Sequence, residues 1–345
     1  MKLFVTGVAG QLGYDVIMEL VHRNQQGSPT FTCIASDLAP SWEAGSKDSL
    51  LSTVPYVALD ITDACAVEAA ILDAAPDAIV HCAAWTAVDL AEEDDKKELV
   101  TLVNAKGTQN IAEAVNKLEK IKPDGCKLMY ISTDYVFPGD GTIPWLPDCK
   151  AYAPLNHYGT TKLLGEQAVS ELLTRYFIVR IAWVFGKNGT NFIKTMLNVA
   201  KTHPTLKVVD DQIGTPTYTY DLAKLLCDMV VSDQYGYYHA TNSELIPSNE
   251  EEESAGYSAD GTKLGYISWY DFAKEIFRQA SLLGRTEYAE ENLTLFPVST
   301  KDYGISKAAR PNNSRLDKQK LKEHGFTPLP TWQDALKRYL NELEF

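Results

Sequence analysis

The sequence predicts an α/β protein: a doubly wound parallel sheet with a smaller, mixed α/β subdomain toward the C-terminus. Three observations predict it. Short apolar runs alternate with helix-forming stretches through the first half, the signature of parallel βαβ units. A glycine-rich loop at residues 7–13 separates the first apolar run from the first helix. Beyond about Asn191 the helices shorten and prolines become more frequent. The elements follow in order. KLFVTG is a buried strand and GQLGYDVIMELVHR a helix; FTCIASD is the second strand, and the polar stretch from Pro40 to Thr53 a loop. VPYVALD is the third strand, AVEAAILDAA a helix, DAIVHCAA the fourth strand, NAKGTQNIAEAVNKLEK a long helix and CKLMYIST the fifth strand. These runs lack the clean polar alternation of antiparallel strands, so both sheet faces are expected to be covered by helices. YGTTKLLGEQAVSELL is then helical and YFIVRIAWVFG a strand. Four helices follow among loops: NFIKTMLNVAKT, DLAKLLCDMVV, SWYDFAKEIFRQAS and TWQDALKRYLNEL. The division expected is a Rossmann-like dinucleotide-binding unit over 1–185 and a substrate-binding subdomain over 186–345, with elements crossing between them. Between His239 and Tyr266 a stretch with four consecutive glutamates, Glu250 to Glu253, reads as an exposed, mobile loop.

Composition narrows the class of function. The chain has 345 residues, of which 45% are hydrophobic and 23% charged, enough to bury a core without disulfides. Its formal net charge is −14 and its pI about 4.9. Such a surface repels phosphate backbones, which argues against nucleic acid and anionic membranes as partners. The N-terminal apolar run breaks into glycines too early for a signal peptide, and no stretch approaches the ~18 apolar residues of a membrane span. The six cysteines are scattered without a CxxC pair, which fits free thiols in a cytoplasmic, reducing compartment. No residue set is read as a metal site.

Three motifs carry chemistry. Gly7-Val8-Ala9-Gly10-Gln11-Leu12-Gly13 follows a strand and opens a helix. Gly7 permits a tight turn, Gly10 lets a pyrophosphate approach the backbone, and Gly13 lets helix and strand pack closely, while the helix N-terminus offers its free N–H groups to phosphate. Asp37, 24 positions after Gly13 at the end of the second strand, stands near the ~20 expected of a ribose-binding carboxylate. It should repel the extra phosphate of NADP and favour NADH, with NADPH the alternative cofactor. Asp60-Ile61 and Cys82-Ala83-Ala84-Trp85-Thr86 close the third and fourth strands, where ligands sit in open α/β sheets. Later, Ser132-Thr133-Asp134 ends the fifth strand, and 25 residues beyond Thr133 comes Tyr158 with Lys162 four positions on. That spacing puts phenol and ammonium on one helix face. Lysine lowers the cost of ionising the phenol, which can then exchange a proton near neutral pH, and the Thr133 hydroxyl can hold the reacting oxygen.

The combination resembles the extended short-chain dehydrogenase/reductases and, more narrowly, the dTDP-4-dehydrorhamnose reductase family. The matching stretches are GVAGQLG (7–13), CAAWTAVDLAE (82–92), VNAKGTQNIAEA (103–114), YISTDYVFPGDG (130–141), PLNHYGTTKLLGE (154–166), RIAWVFG (180–186), DDQIGTPTYTYDLA (210–223), GYYHATN (236–242) and ARPNNSRLD (309–317), in order along nearly the whole chain. The resemblance implies reduction of a dTDP-sugar 4-ketone with NADH or NADPH. Gly7, Gly10, Gln11, Leu12 and Gly13 would line the cofactor phosphates, Asp37 would bind the adenosine ribose, Asp60 and Ile61 would border adenine, and Ala83, Ala84 and Thr86 would meet the middle of the cofactor. Tyr158 would be the general acid, Lys162 its electrostatic partner and nicotinamide-ribose ligand, and Thr133 the oxygen-positioning hydroxyl. Asp134, Tyr135 and Trp183 would surround the sugar, although the apolar strand neighbours of Trp183 fit a core residue equally. Asn191, Gln212 and Arg310 would contact the nucleotide. Two departures stand out: the acidic insertion, and Trp85 where many members carry histidine. The assembly expected is a monomer or homodimer. Two rival readings are another nucleotide-sugar reductase or epimerase of the extended short-chain class, and a non-catalytic regulatory subunit resembling the β subunit of methionine adenosyltransferase. An intact Thr133, Tyr158 and Lys162 favours an enzyme.

Overall fold

A computed structural model describes residues 1–27, 31–41, 53–259 and 262–343. Strands β1 (Lys2–Thr6), β2 (Thr32–Asp37), β3 (Tyr56–Ala58), β4 (Ala78–His81), β5 (Lys127–Thr133) and β6 (Tyr176–Ile181) alternate with helices. The helices are α1 (Gln11–Gln26), α2 (Ala64–Ala74), α3 (Lys97–Thr101), α4 (Thr108–Ile121) and α5 (His157–Leu172). A seventh strand arrives much later in the chain. After β7 (Val184–Phe185), α6 (Phe192–Ala200), β8 (Thr205–Val209), β9 (Ile213–Gly214), β10 (Thr217–Tyr218) and α7 (Thr219–Val230), strand β11 (Gly236–His239) pairs with β6. The sheet order is β11-β6-β5-β4-β1-β2-β3, and every pairing is parallel. Strand order reverses between β1 and β4, the position at which a doubly wound sheet opens a crevice for its ligand.

The two faces of the sheet bury different clusters. On one, Leu3, Val5, Val80, Met129 and Val179 pack with Val16 and Ile17 of α1 and Leu222 and Leu226 of α7. On the other, Phe4, Ile79, Leu128 and Ile178 pack with Val67 and Ile71 of α2 and Ile111 and Val115 of α4. Successive residues of a strand thus feed opposite faces, as the pleat requires. The remaining elements are α8 (Glu250–Ala255), β12 (Ile267–Ser268), α9 (Trp269–Leu282), β13 (Thr294–Val298), α10 (Thr300–Tyr303), α11 (Gln319–Glu323) and α12 (Trp332–Glu342). Of these, α9 and α12 join α6 and three two-stranded pairs, β7 with β10, β8 with β13 and β9 with β12, around a third core of Phe185, Ile193, Tyr218, Phe272, Trp332 and Leu336, while Leu321 of α11 packs into the first cluster.

Four expectations change. The run YFIVRIAWVFG is two strands, because Trp183 at φ +51° turns the chain between β6 and β7. Strand β4 ends at His81, so Cys82 to Trp85 lie beyond it. The long helix begins earlier: α3 runs through a π-helical turn, Leu102–Gly107, into α4. The acidic stretch is folded where it is described. Asn249 caps α8 by accepting from the Glu252 N–H, and Leu245 bridges Gly265 in antiparallel fashion. Most of the loop expected over Pro40 to Thr53 lies outside the described residues. Among the described residues, no helix is long and apolar enough to cross a membrane, and no group of three or more His, Cys, Asp or Glu side chains is placed to hold a metal ion.

Candidate active site

A cleft of about 780 Å³ opens along the carboxyl ends of β1, β2, β4, β5 and β6. Its wall collects Gly7, Gly10, Gln11, Leu12, Gly13, Asp37, Asp60, Ile61, Ala83, Ala84, Thr86, Thr133, Asp134, Tyr135, Tyr158, Lys162 and Trp183, residues drawn from nearly 180 positions of sequence. Asn191, Gln212 and Arg310 stand off the wall. Asn191 caps α6 and donates to the Gln11 side chain (3.1 Å), Gln212 donates to Thr300 (3.0 Å), and Arg310 pairs with Asp89 (2.6 Å).

The glycine loop is built to be bare. Gly7 adopts φ +73°, and a Cβ there would lie 2.5 Å from the Ala83 nitrogen; a Cβ at Gly13 would lie 2.3 Å from the Gly7 carbonyl oxygen. Helix α1 begins from Gly10 with no side-chain cap and no acidic residue in its first turn. Its first N–H groups and the positive end of its dipole therefore face the cleft unopposed, a ready site for a diphosphate. The Asp37 carboxylate, at the end of β2, accepts from the Ala9 N–H (2.8 Å) and the Leu38 N–H (2.7 Å), which ties it to the same loop. Asp60 accepts from the Thr62 hydroxyl and N–H, and Ile61 is buried beside Gly107. The donor set, the close backbone and the acidic residue at the end of β2 together fit a dinucleotide.

Beyond β4 the chain is held by Asn104 in the π-helical turn. Its side chain accepts from the Trp85 N–H (2.8 Å) and donates to the Trp85 carbonyl (3.1 Å) and the Thr161 hydroxyl (3.1 Å). One amide thus fixes the Ala83–Thr86 segment against α5. That helix starts at Asn156, whose side chain accepts from the Gly159 N–H (2.8 Å), and its first turn presents Tyr158. Lys162, one turn on, is buried with its ammonium donating to the Ile131 carbonyl (2.7 Å) and lying 4.2 Å from the centre of the Tyr130 ring. Burial pushes it down to about 7, against the pull of Glu166. The Tyr158 phenol is raised well above its ordinary value, first by desolvation and then by the Asp134 carboxylate, with a hydrogen bond to Thr133 opposing. Desolvation and the neighbouring Asp134 carboxylate both favour the protonated phenol. Asp134 is itself pushed up to about 6 by burial, and its Oδ2 has no hydrogen-bond partner.

Three residues escaped the sequence reading. Trp269 lines the cleft and stacks on Trp183 with ring centres 3.8 Å apart. Asn104 and Glu166 act from behind the wall. Ser268 and Asp271 form a capping box at the start of α9, and nothing local to that stretch marks that Trp269 faces Trp183 across 86 positions.

Comparison with known proteins identifies the family. The family model for the RmlD substrate binding domain matches residues 1–345. The chain is 39% identical over 268 residues to a dTDP-4-dehydrorhamnose reductase of Escherichia coli K12, a match covering 78% of this chain and 80% of that protein. Among solved structures, it is similar to a dTDP-4-dehydrorhamnose reductase from Clostridium acetobutylicum, with TM-score 0.76, 32% identity and 99% of both chains covered. It is also similar to one from Bacillus anthracis solved in complex with NADP, with TM-score 0.75, 33% identity and 99% of both chains covered.

Proposed function

Because the chain belongs to the RmlD family of dTDP-4-dehydrorhamnose reductases and is an NAD(P)H-dependent oxidoreductase, we propose that it reduces the 4-keto group of dTDP-4-dehydro-6-deoxy-L-mannose to give dTDP-L-rhamnose. The observation that carries this reading is the meeting of Thr133, Tyr158 and Lys162 beside the bare glycine loop in one cleft. When bound, the nicotinamide cofactor supplies the hydride for C4. Gly7, Gly10, Gln11, Leu12 and Gly13 hold its diphosphate at the N-terminus of α1, Asp37 takes the adenosine ribose, Asp60 and Ile61 border adenine, and Ala83, Ala84 and Thr86 back its centre. Tyr158, kept protonated by its surroundings, gives its proton to the C4 oxygen. Thr133 orients that oxygen through its hydroxyl. The Lys162 ammonium, anchored on Ile131, offsets the charge left on the phenol oxygen and reaches the nicotinamide ribose.

The sugar lies against Asp134, Tyr135 and Trp183 in this reading. The unpartnered Asp134 Oδ2 is available to accept from a sugar hydroxyl. The 186–345 portion supplies the nucleotide side, with Asn191, Gln212 and Arg310 as the contacts; the Arg310 Nε is buried without a partner, a donor unspent among the described residues. All six cysteines are free, which supports a reducing, cytoplasmic setting. The test is direct: the purified chain is given NADH or NADPH with the 4-keto sugar nucleotide, and cofactor oxidation is followed together with the sugar product. Formation of dTDP-L-rhamnose is expected. Turnover confined to a different nucleotide sugar would move the substrate elsewhere in the class, and cofactor binding without turnover of any would make the chain a regulatory subunit.

A further inference from the structure

Behind the cleft lies a charged network that the proposed reaction does not use. Glu166 follows Lys162 by one turn of α5, and its side chain is 1% exposed; Arg180 of β6, facing it, is 0% exposed. The guanidinium grips the carboxylate with two bonds, Nε to Oε1 at 2.8 Å and Nη2 to Oε2 at 2.7 Å. Ser132, which lines the cleft, donates to the same Oε1 at 2.5 Å. Arg180 directs its remaining donors to the Pro147 carbonyl, the Tyr152 hydroxyl and, at 3.5 Å, the Nε2 of the buried His239, with the rings of Phe137, Tyr152 and Tyr237 around it. An ion pair so buried gains little net stability over an apolar replacement, so stability alone is a poor account of it.

We infer that the Glu166–Arg180 pair is a positioning pair for Lys162: it holds α5 in register with β5 and fixes a carboxylate, backed by a guanidinium, one helical turn beyond the ammonium. Register follows from adjacency. Lys162 is anchored on the carbonyl of Ile131 and Glu166 on the hydroxyl of Ser132, so two consecutive residues of β5 hold two consecutive turns of α5. The charge argument follows from the other groups that face the ammonium. Tyr158 lies one turn back on its own helix, and Tyr130 from β5, His81 at the end of β4 and Cys82 just beyond it stand near the ammonium. Burial holds the phenols and the Cys82 thiol protonated and the His81 ring neutral. Glu166, one turn further along α5, is the carboxylate that favours the charged ammonium, and it is itself paired with Arg180. Removing the carboxylate leaves Lys162 near an uncompensated cation; removing the guanidinium leaves it near an uncompensated anion.

The two halves of the pair therefore act on Lys162 with opposite sign, which no purely structural role would produce. This inference rests on Lys162 serving the reaction, and two measurements separate the claims. The first is an NMR titration of the Lys162 ε-carbon in lysine-labelled protein, assigned by its loss in Lys162→Met. Glu166→Gln should lower the titration midpoint and Arg180→Gln raise it, each by about one pH unit. The double variant should fall between them, near the parent. The second is the pH dependence of single-turnover ketone reduction at saturating NADPH, whose alkaline limb should follow the same order. If Arg180→Gln does not fold, Glu166→Gln against the double variant still gives the sign. Midpoints that stay put, or that move the same way in both single variants, overturn the inference. Midpoints that move as expected under an unmoved alkaline limb uphold the inference and overturn the role given to Lys162.

Discussion

Tyr158 is the residue on which the reaction depends most. Tyr158→Phe keeps the ring and removes the proton, so turnover should fall by roughly 10²–10⁴-fold while NADH titrates normally. Parent-like reduction by this variant would take the chemistry away from α5. Lys162→Met should weaken both turnover and cofactor binding, and Thr133→Val should cost less than either. Trp269 tests the part of the wall that the sequence did not announce. Trp269→Ala removes the partner on which Trp183 stacks, and the KM for the sugar nucleotide should rise about tenfold with cofactor affinity unchanged. An unchanged KM would make the tryptophan pair part of the core. Asp37, tied to the glycine loop through Ala9, should make NADH the better cofactor by kcat/KM, and equal efficiencies would deny it that role. Tyr158 and Lys162 were legible because a helix puts i and i+4 on one face, so the chain itself states their relation. The Trp183–Trp269 stack and the Asn104–Trp85 clasp were not, because only the tertiary fold brings those residues together.

At the scale of elements, the parallel sheet and its covering helices could be read from apolar runs that alternate with helical periods. The breaks could not. Trp183 sits in an unbroken apolar run, and nothing local marks its turn to φ +51°. The π-helical turn at Leu102–Gly107 is equally silent in sequence, since no spacing within LVNAKG distinguishes it from an α-helical turn; it wedges one extra residue into a turn and so aims Asn104 inward. Helix α5 depends on a close approach at Gly165, where a Cβ would lie 2.4 Å from the Tyr130 hydroxyl and 2.9 Å from the Asn104 carbonyl oxygen. Gly165→Ala should therefore destabilise the fold by about 1–3 kcal/mol in denaturant melts and pull Lys162 off its anchor, lowering turnover beyond what stability explains. A variant as stable and active as the parent would show that α5 can shift without cost. The acidic stretch reads as a loop from its composition, yet the Asn249 cap and a short antiparallel bridge give part of it order.

For the whole molecule, pH should act through Asp15, buried on α1 under Thr219 of α7. Burial pushes its carboxyl up to about 7. The folded chain then holds a proton that the unfolded chain releases near the ordinary ~4, so stability falls as pH rises between those values and is level above. Asp15→Asn stays neutral throughout and should gain on the parent across that window, by on the order of 4 kcal/mol in total. A difference between the two Tm values that does not change with pH would refute it. The arrival of β11 has a different consequence, one for the order in which the molecule is made. A ribosome releases β6 some sixty residues before the strand that pairs with its outer edge, and α7, which packs against α1 on one face of the sheet, emerges in the same late interval. Until residue 239 is out, the nascent chain carries an unpaired parallel edge and the bare apolar flank of α1, both of them invitations to misassociation. Cofactor competence during synthesis should therefore begin abruptly, once β11 has left the exit tunnel, and a chain halted at residue 185 should be a chaperone client that binds no dinucleotide.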